Sequence, residues 1–350
     1  MKITLKTKRA SEEITVAPDE SILFAGLRQG LALPHECASG TCGSCQAQHI
    51  EGDLYDLWAD APGKAHIPAA AERLLMCQTS CRAESTLKLF GRLARQSDGY
   101  AIPDYANGIV TLLEQINPDI LVFRVKLDRG FSFTAGQFAM LRLPGIDGWR
   151  AYSMCQNNLR EGTLEFVIKR LPGGAVSEHL FNSEIIGQQV EVFGPLGRAC
   201  LNHGHEDQNI VAIVGGSGVA GIMAVLQDIH TKGCFGRHKT KVFFGVKCPT
   251  DDFFLDRLSA MVEAASGQLD VTVVYSEVDA VPKKHPLHNN LRLAFGFVHE
   301  TAFANLQKNE LHADMTYFVA GPPVMVSAVE TRLHDEFGVS ADRIRLDRFG

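Results

Sequence analysis

Apolar and polar positions alternate through "KITLKTKRASEEITV", and this period of two predicts a strand, a turn and a second strand. "PDESILFAGLRQG" then carries apolar residues at helical spacing and stops on Gly30, which predicts a short helix. Beyond a loop rich in glycine and cysteine come a short strand in "AQHIEGDL", a weakly patterned stretch around "APGKAHIPAAA", and a closing strand "TLKLF". Residues 1–92 therefore read as self-contained. The next stretch, "RQSDGYAIPDYANG", is polar, has no period and holds Gly and Pro, so 93–104 reads as a linker.

From "GIVTLLEQ" the alternation returns in short runs, "ILVFRVKLD", "QFAMLRLP", "LEFVIKR" and "QQVEVFGP", cut by Gly and Pro. Such spacing predicts a small antiparallel β-barrel over 105–204, interrupted by one helix, "AVSEHLFN". The texture changes again at "NIVAIVGGSGVAGIMAVLQDIH", where apolar strands alternate with amphipathic helices through "KVFFGV", "FFLDRLSAMVEAA", "DVTVVYS", "TYFVAG" and "PVMVSAVETRLHDEFG". Residues 205–350 thus predict an α/β domain with a parallel, Rossmann-like sheet. There is no internal repeat.

With 350 residues, 45% of them hydrophobic, the chain can bury several cores. A formal net charge of -6 argues against a nucleic-acid-binding face. No apolar run of about 18 residues occurs, and the opening lacks the apolar core of a signal peptide. The expectation is a cytoplasmic protein with no membrane or nucleic-acid partner. Nine cysteines, four of them in the first 80 residues with metal-ligand spacing, suit thiols kept reduced and free for metal better than a disulfide scaffold.

"HECASGTCGSCQ" supplies Cys37, Cys42 and Cys45, and Cys77 follows after thirty-one further residues. C-x4-C-x2-C…C is the plant-type 2Fe-2S ligand spacing. The loop must turn backbone N–H groups toward the sulfurs, and Gly40 and Gly43 permit the tight turns this needs. The rival is zinc, whose sites usually pair two close C-x2-C units; here the second half offers one well-placed cysteine, with Cys81 an alternate. Cys155, Cys200, Cys234 and Cys248 read as core or strand residues, His35 and His49 as ordinary loop and strand residues. An exposed edge from Ala38 to Thr41 is the expected docking face for a partner.

In "WRAYSMC", strand alternation places Arg150 and Tyr152 on one face, so a cation can meet a phosphate while a ring lies against a planar cofactor. "VIKRLPGGAVSEHL" offers two glycines and then Ser177 where a helix begins, either a phosphate cradle or a capped hairpin turn. "AIVGGSGVAGIM" runs strand, glycine turn, helix, and Gly216, Gly218 and Gly221 satisfy G-x-G-x-x-G. The acidic residue expected about 20 positions later is missing from "GCFGRHKTKVFFGV", so the glycines point to a different dinucleotide fold. Glu277 in "VVYSEVD" would repel a 2'-phosphate, favouring NADH over NADPH, unless it simply faces solvent.

These motifs in this order, with "AGPPVMV" and the closing "LDRFG", resemble the ferredoxin-NADP-reductase-like family over essentially the whole chain. More narrowly, the chain is similar to the NADH-dependent iron-sulfur flavoprotein reductase components of bacterial aromatic and hydrocarbon oxygenases. The resemblance implies a β-grasp 2Fe-2S ferredoxin domain, a flavin barrel and a nucleotide domain. It implies FAD held by Arg150, Ala151, Tyr152 and Ser153, with Val167, Ile168, Lys169, Gly173, Gly174, Ala175, Val176 and Ser177 around the pyrophosphate. It puts NADH at Gly215, Gly216, Ser217, Gly218, Gly245, Ser276, Glu277, Gly321, Pro322 and Pro323. Ser153 and Phe349 would carry the catalytic positions beside the flavin. Electrons would pass from NADH through FAD and the cluster to a non-haem iron oxygenase, Rieske or di-iron, or its ferredoxin. Reduction of a sugar-nucleotide dehydratase intermediate, or a non-catalytic iron-sulfur carrier or sensor, are the alternatives. Three departures stand out: Ala320 for the usual cysteine before Gly-Pro-Pro, Gly221 for a proline, and "AGQ" (Ala135 to Gln137) for "PGQ".

Overall fold

The computed structural model describes residues 1–68, 71–96, 99–158, 162–182, 184–201, 208–236, 239–306 and 315–348. Two compact units divide it, and the division runs through the barrel. One unit comprises Met1–Gly108, Phe138–Tyr152 and Gln189–Leu196; the other comprises Ile109–Gln137, Ser153–Gln188 and Gly197–Gly350.

The amino-terminal strands are β1 (Lys2–Lys6), β2 (Ser11–Thr15), β3 (Gln46–Glu51), β4 (Leu54–Asp56), β5 (Arg73–Leu75), β6 (Thr79–Cys81) and β7 (Ser85–Leu89). Five form a sheet in the order β2-β1-β7-β3-β5, with β1 parallel to β7, while β4 pairs with β6. Helix α1 (Ile22–Arg28) starts at Ser21, whose hydroxyl accepts from Phe24 N–H, one of the orphan donors of a first turn. Residues Ile22 to Leu27 are all buried. A helix apolar all round must be covered all round, and α1 meets the sheet core while Phe24 stacks on Phe193 of the barrel at 4.1 Å between centroids. Tyr105 and Trp149 complete this aromatic group.

The barrel strands are β8 (Asp104–Asn117), β9 (Ile120–Leu127), β10 (Phe138–Arg142), β11 (Arg150–Asn158), β12 (Thr163–Lys169) and β13 (Gln189–Leu196), closed in the order β10-β11-β12-β9-β8-β13. Helix α2 (Ala175–Asn182) interrupts them. Alternation along each strand sends one set of side chains inward, and closure leaves no unpaired edge.

The third segment carries β14 (Ile210–Gly215), α3 (Val219–Thr231), β15 (Thr240–Val246), α4 (Leu255–Ala264), β16 (Leu269–Tyr275), β17 (Arg292–Phe295), α5 (Val298–Asn305), β18 (Thr316–Gly321), α6 (Pro323–Asp335) and β19 (Ile344–Arg348). Its six strands are parallel, in the order β17-β16-β15-β14-β18-β19, so the strand order reverses direction between β14 and β18. Ligands of doubly wound sheets bind at the carboxyl ends beside such a reversal. Strands β17 and β19 and helix α5 were not legible as elements in the sequence. The core of this unit takes in Ile120, Val122 and Val167 of the barrel together with Val219 and Phe244. Glu165 of β12, 2% exposed, lies between Arg124 of β9 and Arg257 of α4 at 2.7 and 2.6 Å. Among the described residues no helix is long and apolar enough to cross a membrane.

Candidate functional site

The four sulfurs fall into two pairs. Cys37 Sγ accepts from the N–H groups of Ser39 and Cys42, both at 3.4 Å, and hydrogen-bonds the Cys42 thiol. Cys45 and Cys77 Sγ lie 3.2 Å apart. Ala38, Gly40 and Gly43 have φ of 54°, 90° and 75°, the left-handed turns that aim successive N–H groups at sulfur. In each pair a thiolate faces a thiol. The Cys42 hydrogen bond brings Cys37 down to about 4 against its burial, and the same contact pushes Cys42 up. Cys77 likewise lowers Cys45 and is itself raised.

Zinc requires four ligands around one ion. Among the described residues no three His, Cys, Asp or Glu side chains converge on one ion. Two thiol pairs fit two irons, one pair to each, as a 2Fe-2S cluster requires. Cys81 is buried on β6 and belongs to neither pair. Cys248 departs from its expected core position: it follows β15, half-buried, beside Thr250.

The expected exposed edge of the loop is corrected. Ala38 and Ser39 are 2% and 6% exposed, Gly40 is buried and Thr41 is half-buried. The cause is the 3-10 turn Pro62–His66, whose Gly63 N–H donates to Gly40 O at 2.8 Å, together with the side chain of Gln78 over Gly40. The exposed residue of the loop is Glu36.

On the barrel, β11 begins at Arg150, whose guanidinium lies 5.4 Å over the Trp58 ring and donates to Trp149 O. Ala151 packs on the core of the first unit, and burial pushes the Tyr152 phenol up. Val167 and Ile168 are buried on β12, leaving their backbone to face a ligand, while Lys169 is exposed at the strand end. Ser177 does not start the helix, because α2 begins two residues earlier at Ala175, followed by Val176. Its hydroxyl instead accepts from Leu171 N–H at 3.0 Å and closes the turn through Gly173 and Gly174. The turn is therefore preformed, with the first N–H groups of α2 unspent.

At the carboxyl edge of the parallel sheet, Gly216–Gly218, with Ser217 between them, forms a 3-10 turn between β14 and α3. A Cβ on Gly215 would lie 3.2 Å from Met325 Sδ, and one on Gly321 would lie 2.7 Å from Met325 Cε. Absent side chains thus bring together the loops after β14 and β18, with Pro322 and Pro323 opening α6. Gly245 has a different use: Val298 of α5 occupies the space its Cβ would take, so its smallness serves helix packing. Ser276 and Glu277 follow β16, and Glu277 does not simply face solvent, since its Oε1 lies 3.3 Å from Lys247 Nζ. Phe349 lies outside the described residues.

One group had no signal in the sequence. Ser153 Oγ donates to Asp347 Oδ2 at 2.6 Å, across 194 positions. Burial pushes the Asp347 carboxyl up, against the opposing Ser153 hydrogen bond. Asp347 is in register with Ala320, and a Cβ on Gly221 would sit 3.9 Å from Ser153 Cβ. Two of the three departures therefore border this pair.

Three family descriptions match in order: a 2Fe-2S iron-sulfur cluster binding domain over 5–82, an oxidoreductase FAD-binding domain over 108–200, and an oxidoreductase NAD-binding domain over 212–331. The ferredoxin–NAD(+) reductase component of an alkene monooxygenase system from Xanthobacter autotrophicus is 31% identical, covering 95% of this chain and 96% of its own. A ferredoxin–NAD(P)(+) reductase from Metapseudomonas resinovorans is 30% identical, covering 96% of each. The solved ferredoxin reductase in carbazole 1,9a-dioxygenase superposes with a TM-score of 0.79 at 27% identity, covering 100% of this chain and 99% of its own.

Proposed function

Because the chain belongs to the iron-sulfur flavoprotein reductase components of bacterial oxygenase systems, we propose that it draws electrons from NADH and delivers them singly to an oxygenase component or an intermediary ferredoxin. FAD, when bound, accepts two electrons from the nicotinamide and releases them one at a time. The protein supplies position and charge. Arg150 and Lys169 balance the flavin phosphates, and the preformed 171–177 turn offers them N–H groups. Tyr152 and Phe349 flank the ring, and Ser153 faces its reactive edge. Asp347, kept neutral by burial, holds the Ser153 hydroxyl in one orientation. Gly215 to Gly218 and Gly321 to Pro323 receive the dinucleotide. Cys37, Cys42, Cys45 and Cys77 hold the cluster. Nine free thiols support a reducing compartment, the cytoplasm.

The observation that carries this reading is a shared core: Ala38, Cys45 and Cys77 of the cluster loop belong to the same apolar cluster as Phe138, Met140 and Phe193 of the barrel. A cluster built onto a flavin barrel is placed to receive its electrons. Anaerobic mixing with NADH should bleach a flavin band at about 450 nm; no bleaching would end the reductase reading. Cys42→Ser should abolish reduction of the one-electron acceptor cytochrome c while sparing NADH oxidation by a two-electron quinone. Equal loss of both activities would contradict the assigned route.

A further inference from the structure

Lys247 directly follows β15, the strand beside β14, and Glu277 lies two residues past β16, the next strand out. Backbone bonds hold the two ends together: Ser276 N–H donates to Val246 O and Glu277 N–H to Lys247 O, at 3.0 and 2.8 Å. The side chains meet at 3.3 Å, each 59% exposed. In doubly wound sheets the residue ending the strand next to the glycine-loop strand reaches the adenosine ribose. An acid alone at that place binds a free 2'-hydroxyl and repels a 2'-phosphate. Here the acid already carries a cation, so the pair sums to zero.

We propose that Lys247 and Glu277 form a charge-balanced clamp on the 2' position of the adenosine ribose, in which Lys247 sets how far a 2'-phosphate is accepted. The inference rests on the dinucleotide reading above and corrects the argument that Glu277 by itself excludes NADPH. Lys247 is drawn first to Glu277 and then by the charges of Asp251 and Asp119, so a phosphate must compete for it. Competition is possible because exposed ion pairs are weak and both chains are free to rotate. With NADH, Glu277 accepts from the 2'-hydroxyl; with NADPH, Lys247 turns from Glu277 to the phosphate.

Calorimetric titration of the holoenzyme with 5'-AMP and 2',5'-ADP tests the clamp without turnover. The wild type should bind 2',5'-ADP as well as or better than 5'-AMP. Lys247→Gln should weaken 2',5'-ADP roughly tenfold and leave 5'-AMP within about twofold, and Glu277→Gln should strengthen 2',5'-ADP by a similar factor. Lys247→Arg should retain wild-type discrimination. If Lys247→Gln changes both ligands equally or neither, the pair is a strand tie and the clamp is wrong. If neither ligand binds the wild type, the dinucleotide reading falls with it.

Discussion

Two seams within the molecule join barrel strands to their neighbours by opposite physics. Where the cluster-bearing segment meets β10 and β13, the contact is aromatic: Phe24 and Phe193 stack with planes 9° apart, and Tyr105 and Trp149 close round them. Where α4 meets β9 and β12, the contact is ionic: one buried carboxylate, Glu165, serves two guanidiniums. Apolar stacking is indifferent to pH and salt and fixes separation through close packing. A buried ion pair contributes little net stability but admits few alternative arrangements of its partners. The difference assigns a fixed distance to the cluster side and a fixed orientation to the nucleotide side.

Breaking the aromatic seam should have the largest effect. Phe24→Ala removes a fully packed ring and should cost about 3–5 kcal/mol, read by denaturant unfolding. It should slow cytochrome c reduction more than quinone reduction, and equal slowing would deny the seam its special bearing on the cluster. Glu165→Gln comes next, at about 2 kcal/mol, because Arg124 and Arg257 keep part of their contact with water. Its kinetic signature should be reversed: a raised KM for NADH with the cluster step intact. The smallest effect is that of pH. Burial pushes the Glu165 carboxyl up, but hydrogen bonds and charge from Arg257 and Arg124 outweigh it and hold it below the ordinary 4.5. A depressed carboxylate contributes stability above its unfolded value and loses it as pH falls through the folded one. Acid unfolding should therefore sharpen below about pH 4.5 in wild type and lose that component in Glu165→Gln.

What could be read from the sequence was whatever lies close along the chain. Cys37, Cys42 and Cys45 share one loop, and α2 and the strands before it show their periods plainly. Strand β17, with the burial pattern eiie, has no alternating face to betray it. The Ser153–Asp347 pair was invisible because its halves meet only after β11 and β19 are in place. Ser177 was located but given the wrong task, since a helix start two residues earlier turns a cap into a brace for the preceding turn. Glu277 was read alone, although its meaning depends on Lys247, thirty positions away and one strand over.

The turn over the cluster loop bears on mutational tolerance. "APGKAHIPAAA" has the weakest pattern in the first segment, and such stretches usually accept substitution freely. Yet a methyl group on Gly63 would lie 2.8 Å from Gly40 O and 2.9 Å from Gly43 N, against backbone on both sides. Alanine there has no direction in which to relax except by lifting the turn from the sulfurs. A position that looks replaceable by composition is thus among the least replaceable in the chain, and its neighbours can vary only while it does not.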